Sequence, residues 1–155
     1  RTGKKIEPET IARLANDVEN ITCVKEACGS VDQVNCILQL CDITVLSGDD
    51  GLALPMMSVG GKGVVSVVAN VVPDKVAAMC NAWLGGNAAE AQRLHRELLP
   101  LAKGMFIETN PICVKTALKL MGLINGELRL PLCEMQPENE ARLRQVLETA
   151  NLPLA

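Results

Sequence analysis

The chain has 155 residues, 48% hydrophobic and 21% charged, the balance of an ordinary globular domain. A net charge of −3, one Trp, one Phe and no Tyr leave out the basic stripe and aromatic platforms of nucleic-acid binders, which excludes nucleic acid as a partner. The most apolar stretch, Leu52 to Val72, is broken by Pro55, Gly60, Gly61 and Lys62, short of the roughly 18 apolar residues of a membrane span.

The opening RTGKK carries no apolar signal region, and the first residue is Arg rather than Met, so a fragment of a soluble cytoplasmic protein is expected. Segment 8–19 has Pro8 in a first helical turn and Ile11, Leu14, Ala15 and Val18 at helical spacing, which predicts an amphipathic helix with those four inward. Ile21 to Val24 is short, apolar and β-branched, the pattern of a strand. Ser30-x-x-Gln33 then opens a helix as a capping box, with Val31, Val34, Ile37, Leu38 and Cys41 inward. The same unit recurs as a strand at Ile43–Leu46, the loop Ser47-Gly-Asp-Asp50 and a helical stretch from Leu52 to Val59 that stops at Gly60-Gly61. A third unit follows, with a nearly continuous apolar strand from Gly63 to Val71 and a helix from Pro73 that Gly85-Gly86 ends.

Three successive βα units predict an α/β class with a parallel sheet and right-handed crossovers. From Asn87 onward the pattern is helical only: Asn87-x-x-Glu90 caps one helix, Asn110-Pro111 opens a second that ends at Gly122, and Pro137 opens a third with Leu143, Val146, Leu147 and Ala150 inward. Three strands cannot close a barrel and would leave an unpaired edge on each side, so further strands upstream are expected.

The seven cysteines, Cys23, Cys28, Cys36, Cys41, Cys80, Cys113 and Cys133, include no CxxC pair and lie mostly in apolar segments. They read as small buried hydrophobes in a reducing compartment, with no metal site. Lys25 is the residue that carries most chemical information. It ends an apolar strand, and alternation puts it on the face of Ile21 and Cys23. A lysine there can simply carry its ammonium into solvent. At the C-terminal end of a barrel strand it is instead a candidate nucleophile, since a dry interior favours the neutral amine that attacks a ketone. In SGDD, Asp49 and Asp50 could hold a divalent metal, or one of them could cap the next helix. His95, the single histidine, sits in a helix away from strand ends and reads as a surface or interface residue.

VKEACG around Lys25, LSGDD, GGKGVVSVVANV, ETNPICVKTALKLMG and ELRLPL follow one another in fixed order. Together they resemble the second half of the dihydrodipicolinate synthase family, class I aldolases of the N-acetylneuraminate lyase superfamily. The resemblance implies a (β/α)₈ TIM barrel, with residues 1–86 as the last three βα units and 87–155 as a C-terminal helical extension. It implies that Lys25 forms a Schiff base with pyruvate and that the resulting enamine attacks L-aspartate 4-semialdehyde to give 4-hydroxy-tetrahydrodipicolinate, in lysine and diaminopimelate biosynthesis. Arg1, in RTG, matches an arginine that binds the carboxylate of the aldehyde substrate, where a bidentate guanidinium suits the task. Gly48 and Val65 match positions whose backbone lines the pocket near the Schiff base, and Asn110 matches one at the pocket wall. No cofactor or metal is implied, and the family commonly assembles as homotetramers.

Two residues depart from the family pattern: Cys113 stands where it usually has proline and Val68 where it has threonine. The family's proton relay uses a tyrosine and threonines from the other half, and its lysine feedback site also lies there. This chain has no tyrosine, so it is not expected to turn over alone. Two alternatives stand beside this reading. One is a related pyruvate-dependent aldolase of the N-acetylneuraminate or keto-deoxy sugar-acid type, against which Arg1 and VKEACG speak. The other is a non-catalytic half-barrel assembly module whose sheet edges pair with another chain.

Overall fold

The structure, a computed structural model, describes residues 3–155; Arg1 lies outside the described residues. The order of elements is α1 (Pro8–Asp17), β1 (Cys23–Glu26), α2 (Val31–Leu40), β2 (Thr44–Ser47), α3 (Ala53–Ser58), β3 (Gly63–Val64), α4 (Pro73–Leu84), α5 (Ala88–Gly104), α6 (Ile112–Leu120) and α7 (Pro137–Thr149). This is a partial α/β fold of three parallel strands and seven α-helices among the described residues. The chain divides into two compact units, Arg1–Ser66 with Cys80–Ala91, and Val67–Met79 with Gln92–Ala155.

In the first unit the strands lie in the order β1-β2-β3, all parallel, with Lys25 opposite Leu46 and Glu26 opposite Ser47, and Ser47 in turn opposite Val64. One face of this sheet is covered. Ile11 of α1, Val34 and Ile37 of α2 and Met56 of α3 close over Val45, with Ile43 beside it and Val24 packed against the cluster. Each such buried side chain stabilises the fold by about 1.5–3 kcal/mol relative to exposure, so this cluster holds the sheet to its helices.

Local chemistry sets the helix ends. Ser30 Oγ accepts the Gln33 N–H at 3.2 Å, half of the expected capping box. The return half is not made, because the Gln33 side chain is engaged elsewhere. Asn87 Oδ1 accepts the Glu90 N–H at 3.2 Å, as its spacing predicts. α4 begins at Pro73 and stops before Gly85-Gly86, where Gly86 takes a φ of +82° that side chains disfavour.

The second unit has Leu101, Met105, Leu143, Leu147, Cys113 and Val68 among its fully buried side chains. α6 packs against α7 and against the 3₁₀ turn Val68–Asn70. At Gly104 a Cβ would stand 2.9 Å from Val146 Cγ1, so the end of α5 approaches α7 closely enough to require glycine.

Several expectations change. The strand read from Gly63 to Val71 is a strand only over Gly63–Val64, and a 3₁₀ turn occupies Val68–Asn70. The run is apolar for two reasons in succession: its start pairs with β2, and Val68, Val71 and Val72 are buried in the second unit. Leu14 is exposed rather than inward, and the buried side of α1 is Pro8, Ile11 and Ala12. The helix after SGDD begins as a 3₁₀ turn at Asp50–Leu52 before α3. Of the cysteines only Cys113 is buried; Cys23, Cys28 and Cys133 are exposed, so being set in apolar sequence did not put them in a core. No helix among the described residues is long and apolar enough to cross a membrane.

Candidate active site

Strand alternation gives β1 two sides. Val24 and Glu26 point to the helices, and Cys23 and Lys25 point away from them. The dry face expected around Lys25 is not present: Cys23 and Lys25 are exposed, because α1, α2 and α3 all pack on the opposite side of the sheet. Lys25 does stand where the fold argument puts it, at the C-terminal end of a parallel strand.

Gly48 and Val65 join it through the backbone ladder. The Gly48 N–H donates to the Glu26 carbonyl at 2.7 Å and the Val65 N–H to the Ser47 carbonyl at 2.7 Å. The pairing thus runs one residue past β2 and β3, and by alternation Lys25, Gly48 and Val65 fall on one side of the sheet at three adjacent strand ends. Val65 is exposed there. A Cβ at Gly48 would stand 2.5 Å from Ala27 Cβ and 2.8 Å from Lys25 Cε. The lysine chain could swing away, but Ala27 Cβ is fixed directly to its backbone and could not. Glycine at 48 therefore leaves the space beside Lys25 that any side chain would take.

The two aspartates of SGDD part company. Asp49 Oδ1 accepts the Gly51 N–H at 2.8 Å and caps the 3₁₀ turn, while Asp50 Oδ1 accepts a short hydrogen bond from Ser66 Oγ. Ser47, fully buried, donates through Oγ to the Asp49 carbonyl at 2.8 Å and so fixes the loop that carries Gly48. Among the described residues no group of three or more His, Cys, Asp or Glu is arranged for a metal ion.

Asn110 belongs to the second unit, half-buried just before α6, with a cis peptide to Pro111. Cys113 Sγ accepts the Glu108 N–H at 3.1 Å and donates to the Glu108 carbonyl at 3.4 Å, which ties the segment containing Asn110 to α6. Glu108 Oε1 in turn accepts from the Gln136 N–H at 2.9 Å and Asn139 Nδ2 at 2.8 Å at the start of α7.

Two further groups shape the site: Glu26, which the sequence reading did not single out, and Gln33, which it read only as part of a capping box. Glu26 and Gln33 are buried polar side chains on the helix-covered side of β1. Glu26 accepts the Cys28 N–H at 2.7 Å and Gln33 Nε2 at 3.2 Å, so the loop that follows Lys25 is anchored by a carboxylate. Alternation alone would have flagged Glu26, since it places a charge beside Val24 on an apolar face. Burial, then the hydrogen bond that the thiol donates to the Glu26 carboxylate, push the Cys28 thiol up, so it is a poor nucleophile near neutral pH. Burial and then the Arg96 charge push His95 down. Lys25 is exposed on the open side of β1 and so has an open approach.

A cavity of about 300 Å³ adjoins β1, lined by Lys5, Ile6, Ile11, Lys25, Glu26 and Cys28 among others. A larger one of about 490 Å³ lies in the second unit, walled by Lys115, Glu127 and Arg129, and reaches Pro111 but not Asn110. The smaller cavity includes Lys25, the candidate nucleophile, but its lining also takes in Ile11 and Glu26 from the helix-covered side of β1.

The Dihydrodipicolinate synthetase family matches residues 1–150. A 4-hydroxy-tetrahydrodipicolinate synthase of Nitratidesulfovibrio vulgaris is 54% identical over 154 residues, covering 98% of this chain and 53% of the relative. The crystal structure of dihydrodipicolinate synthase from Aquifex aeolicus superposes with a TM-score of 0.96 at 47% identity, over 99% of this chain and 53% of that one. The chloride-inhibited dihydrodipicolinate synthase from Acinetobacter baumannii, crystallised with pyruvate, superposes with a TM-score of 0.92 at 35% identity, over 98% and 53%. The chain spans about half the length of the relatives it matches.

Proposed function

Since the chain belongs to the dihydrodipicolinate synthetase family, we propose that it is the C-terminal half of a (β/α)₈-barrel lyase that joins pyruvate to L-aspartate 4-semialdehyde through a Schiff base on Lys25. Residues 1–86 are then the last βα units of the barrel and 87–155 its helical extension. The open side of β1–β3 faces the barrel interior, and five further strands dry it. Support comes from one observation above others: Lys25 ends a parallel strand on the side shared with Gly48 and Val65, and residue 48 has no room for a side chain.

The reaction runs as follows. Lys25 Nζ attacks the ketone carbon of pyruvate and water leaves, giving an imine. The imine draws electrons from the neighbouring methyl, which loses a proton to give an enamine. The enamine carbon attacks the aldehyde carbon of the second substrate. The amine of that substrate then displaces Lys25 Nζ from the imine carbon, closing the ring of 4-hydroxy-tetrahydrodipicolinate and freeing the enzyme. Arg1 holds the carboxylate of the aldehyde substrate through paired N–H donors. Backbone at Gly48 and Val65 lines the pocket, and Asn110 forms part of its wall. No cofactor enters these steps. The proton relay lies outside these 155 residues, so the chain does not turn over by itself. The working enzyme is a homotetramer in the cytoplasm, serving lysine and diaminopimelate biosynthesis. That the Acinetobacter baumannii relative was crystallised with pyruvate supports the choice of first substrate.

Incubation with pyruvate, borohydride reduction and peptide mass mapping tests this, on this chain and on the longest chain that contains it. A reduced pyruvyl adduct on Lys25, lost in Lys25→Ala, is the expected result. A folded longer chain that gives no adduct would overturn the aldolase reading and favour the half-barrel assembly module.

A further inference from the structure

Of the three strands, β3 is the shortest, spanning only Gly63–Val64, and its pairing with β2 is carried on by the Val65 N–H, which donates to the Ser47 carbonyl at 2.7 Å. Beyond that point a pair of side chains takes over, with Ser66 Oγ donating to Asp50 Oδ1. Ser66 follows Val65 directly, and Asp50 stands two residues past Gly48. Both are half-buried, and they join residues 16 apart in sequence. The loop that presents Asp50 is itself braced. Ser47 Oγ, fully buried, donates to the Asp49 carbonyl at 2.8 Å and accepts the Asp49 N–H at 3.2 Å, and Asp49 Oδ1 caps the turn through the Gly51 N–H. Asp49 thus does the capping, and Asp50 reaches across to the chain that leaves β3.

We propose that the Asp50–Ser66 pair positions pyruvate indirectly: it extends the β2–β3 ladder by one side-chain rung and fixes the direction of the peptide joining Val65 to Ser66, beside Gly48 and Lys25. This rests on the reading of Lys25, Gly48 and Val65 given above. The physical ground is that two residues of pairing set the direction of a strand end poorly. A hydrogen bond from the next residue to a carboxylate on a braced loop sets both distance and angle, and a charged acceptor strengthens it. In this reading Asp50 and Ser66 are positioning residues and meet no substrate. Their effect falls on how pyruvate fits against the Val65 backbone, and the amine of Lys25 keeps its own reactivity.

The test compares the longest chain containing these residues with three variants. Ser66→Ala removes the donor, Ser66→Thr keeps a hydroxyl, and Asp50→Ala removes the acceptor. Hydrogen exchange is read at the Val65 amide, and borohydride trapping on Lys25 is titrated with pyruvate, which gives the half-saturating concentration separately from the yield at saturation. In Ser66→Ala the Val65 amide exchanges faster and the half-saturating concentration rises by about three- to tenfold, the scale of one hydrogen bond between positioned groups, with the yield at saturation unchanged. Asp50→Ala raises that concentration at least as much, and Ser66→Thr returns it towards the parent value. A parent-level concentration in Ser66→Ala or in Asp50→Ala would overturn the proposal. So would a Ser66→Thr variant as impaired as Ser66→Ala, since the hydroxyl would then not be the cause. Exchange raised throughout β1 and β2 as well as at Val65 would make the pair a general fold element and overturn it too. A folded parent that traps no pyruvate refutes the aldolase reading and the link to pyruvate with it, and the Val65 amide then decides only whether Ser66 holds the strand end.

Discussion

On the helix-covered side of β1, Val24 packs into the core cluster and Glu26 is buried with each carboxylate oxygen holding a donor. One residue away along the same strand, Cys23 and Lys25 are exposed. The covered side is completed by α1, α2 and α3 of this chain, and its polar groups are satisfied there: no buried side-chain nitrogen or oxygen among the described residues lacks a partner. The open side has only the backbone ladder and the gap kept by Gly48. Parallel sheets are stable when both faces are covered. The contrast therefore separates the side that this chain covers by itself from the side it leaves open, and the open side is the one with the proposed nucleophile, Lys25.

The largest effect expected is on the open side. Lys25→Ala abolishes the pyruvate adduct entirely in mass mapping, yet shifts stability by no more than about 0.5 kcal/mol, since an exposed side chain with no core contacts is removed. A large loss of stability in that variant would break the comparison. The covered side behaves in the opposite way. Ile37 is completely buried, and Ile37→Ala costs about 2–5 kcal/mol in denaturant unfolding through lost burial and the cavity left behind. Trapping by the fraction that remains folded stays at the parent level.

Gly48→Ala joins the two sides. Its Cβ meets Ala27 Cβ at 2.5 Å, so the loop shifts, at about 1–3 kcal/mol for overpacking, and Lys25 Cε is displaced with it. Both melting and trapping yield fall, which neither of the other variants does. A Gly48→Ala protein with full trapping would show that the space beside Lys25 has no chemical use.

Which parts of this arrangement are legible in sequence follows from the range of the physics. Ser30, Asn87, Pro73 and Gly85-Gly86 act on backbone groups within a turn of themselves, and the helix ends they predict are found. The third strand misleads because an apolar run reports burial without saying against what, and Val68, Val71 and Val72 are buried in the second unit rather than paired in the sheet. Lys25 is legible as a strand end, but its exposure is not, because alternation names a face without saying whether anything covers it. The Lys5–Gln33–Glu26 bridge is the least legible of all. Its members are 28 and 7 residues apart, and Gln33 had already been claimed by a local motif, the capping box.

The smallest effect tests whether the two sides are electrically separate. Cys28, an exposed residue whose thiol is partly desolvated, follows the open strand end, and its N–H is bound by a carboxylate from the covered side. Burial and then Glu26 hold its proton on. Glu26→Gln removes the negative charge that disfavours the thiolate, so the pKa of Cys28 falls and its alkylation at about pH 8, near the unperturbed thiol value, becomes faster. The change is partial, because burial, the larger cause, is untouched. The same substitution leaves one of the two donors, the Cys28 N–H or Gln33 Nε2, facing an NH₂ group instead of an oxygen, so a modest drop in melting temperature accompanies the faster labelling. If labelling is unchanged while melting drops, Glu26 acts on the open side only by holding backbone, and the charge buried beneath Lys25 does not reach across the strand.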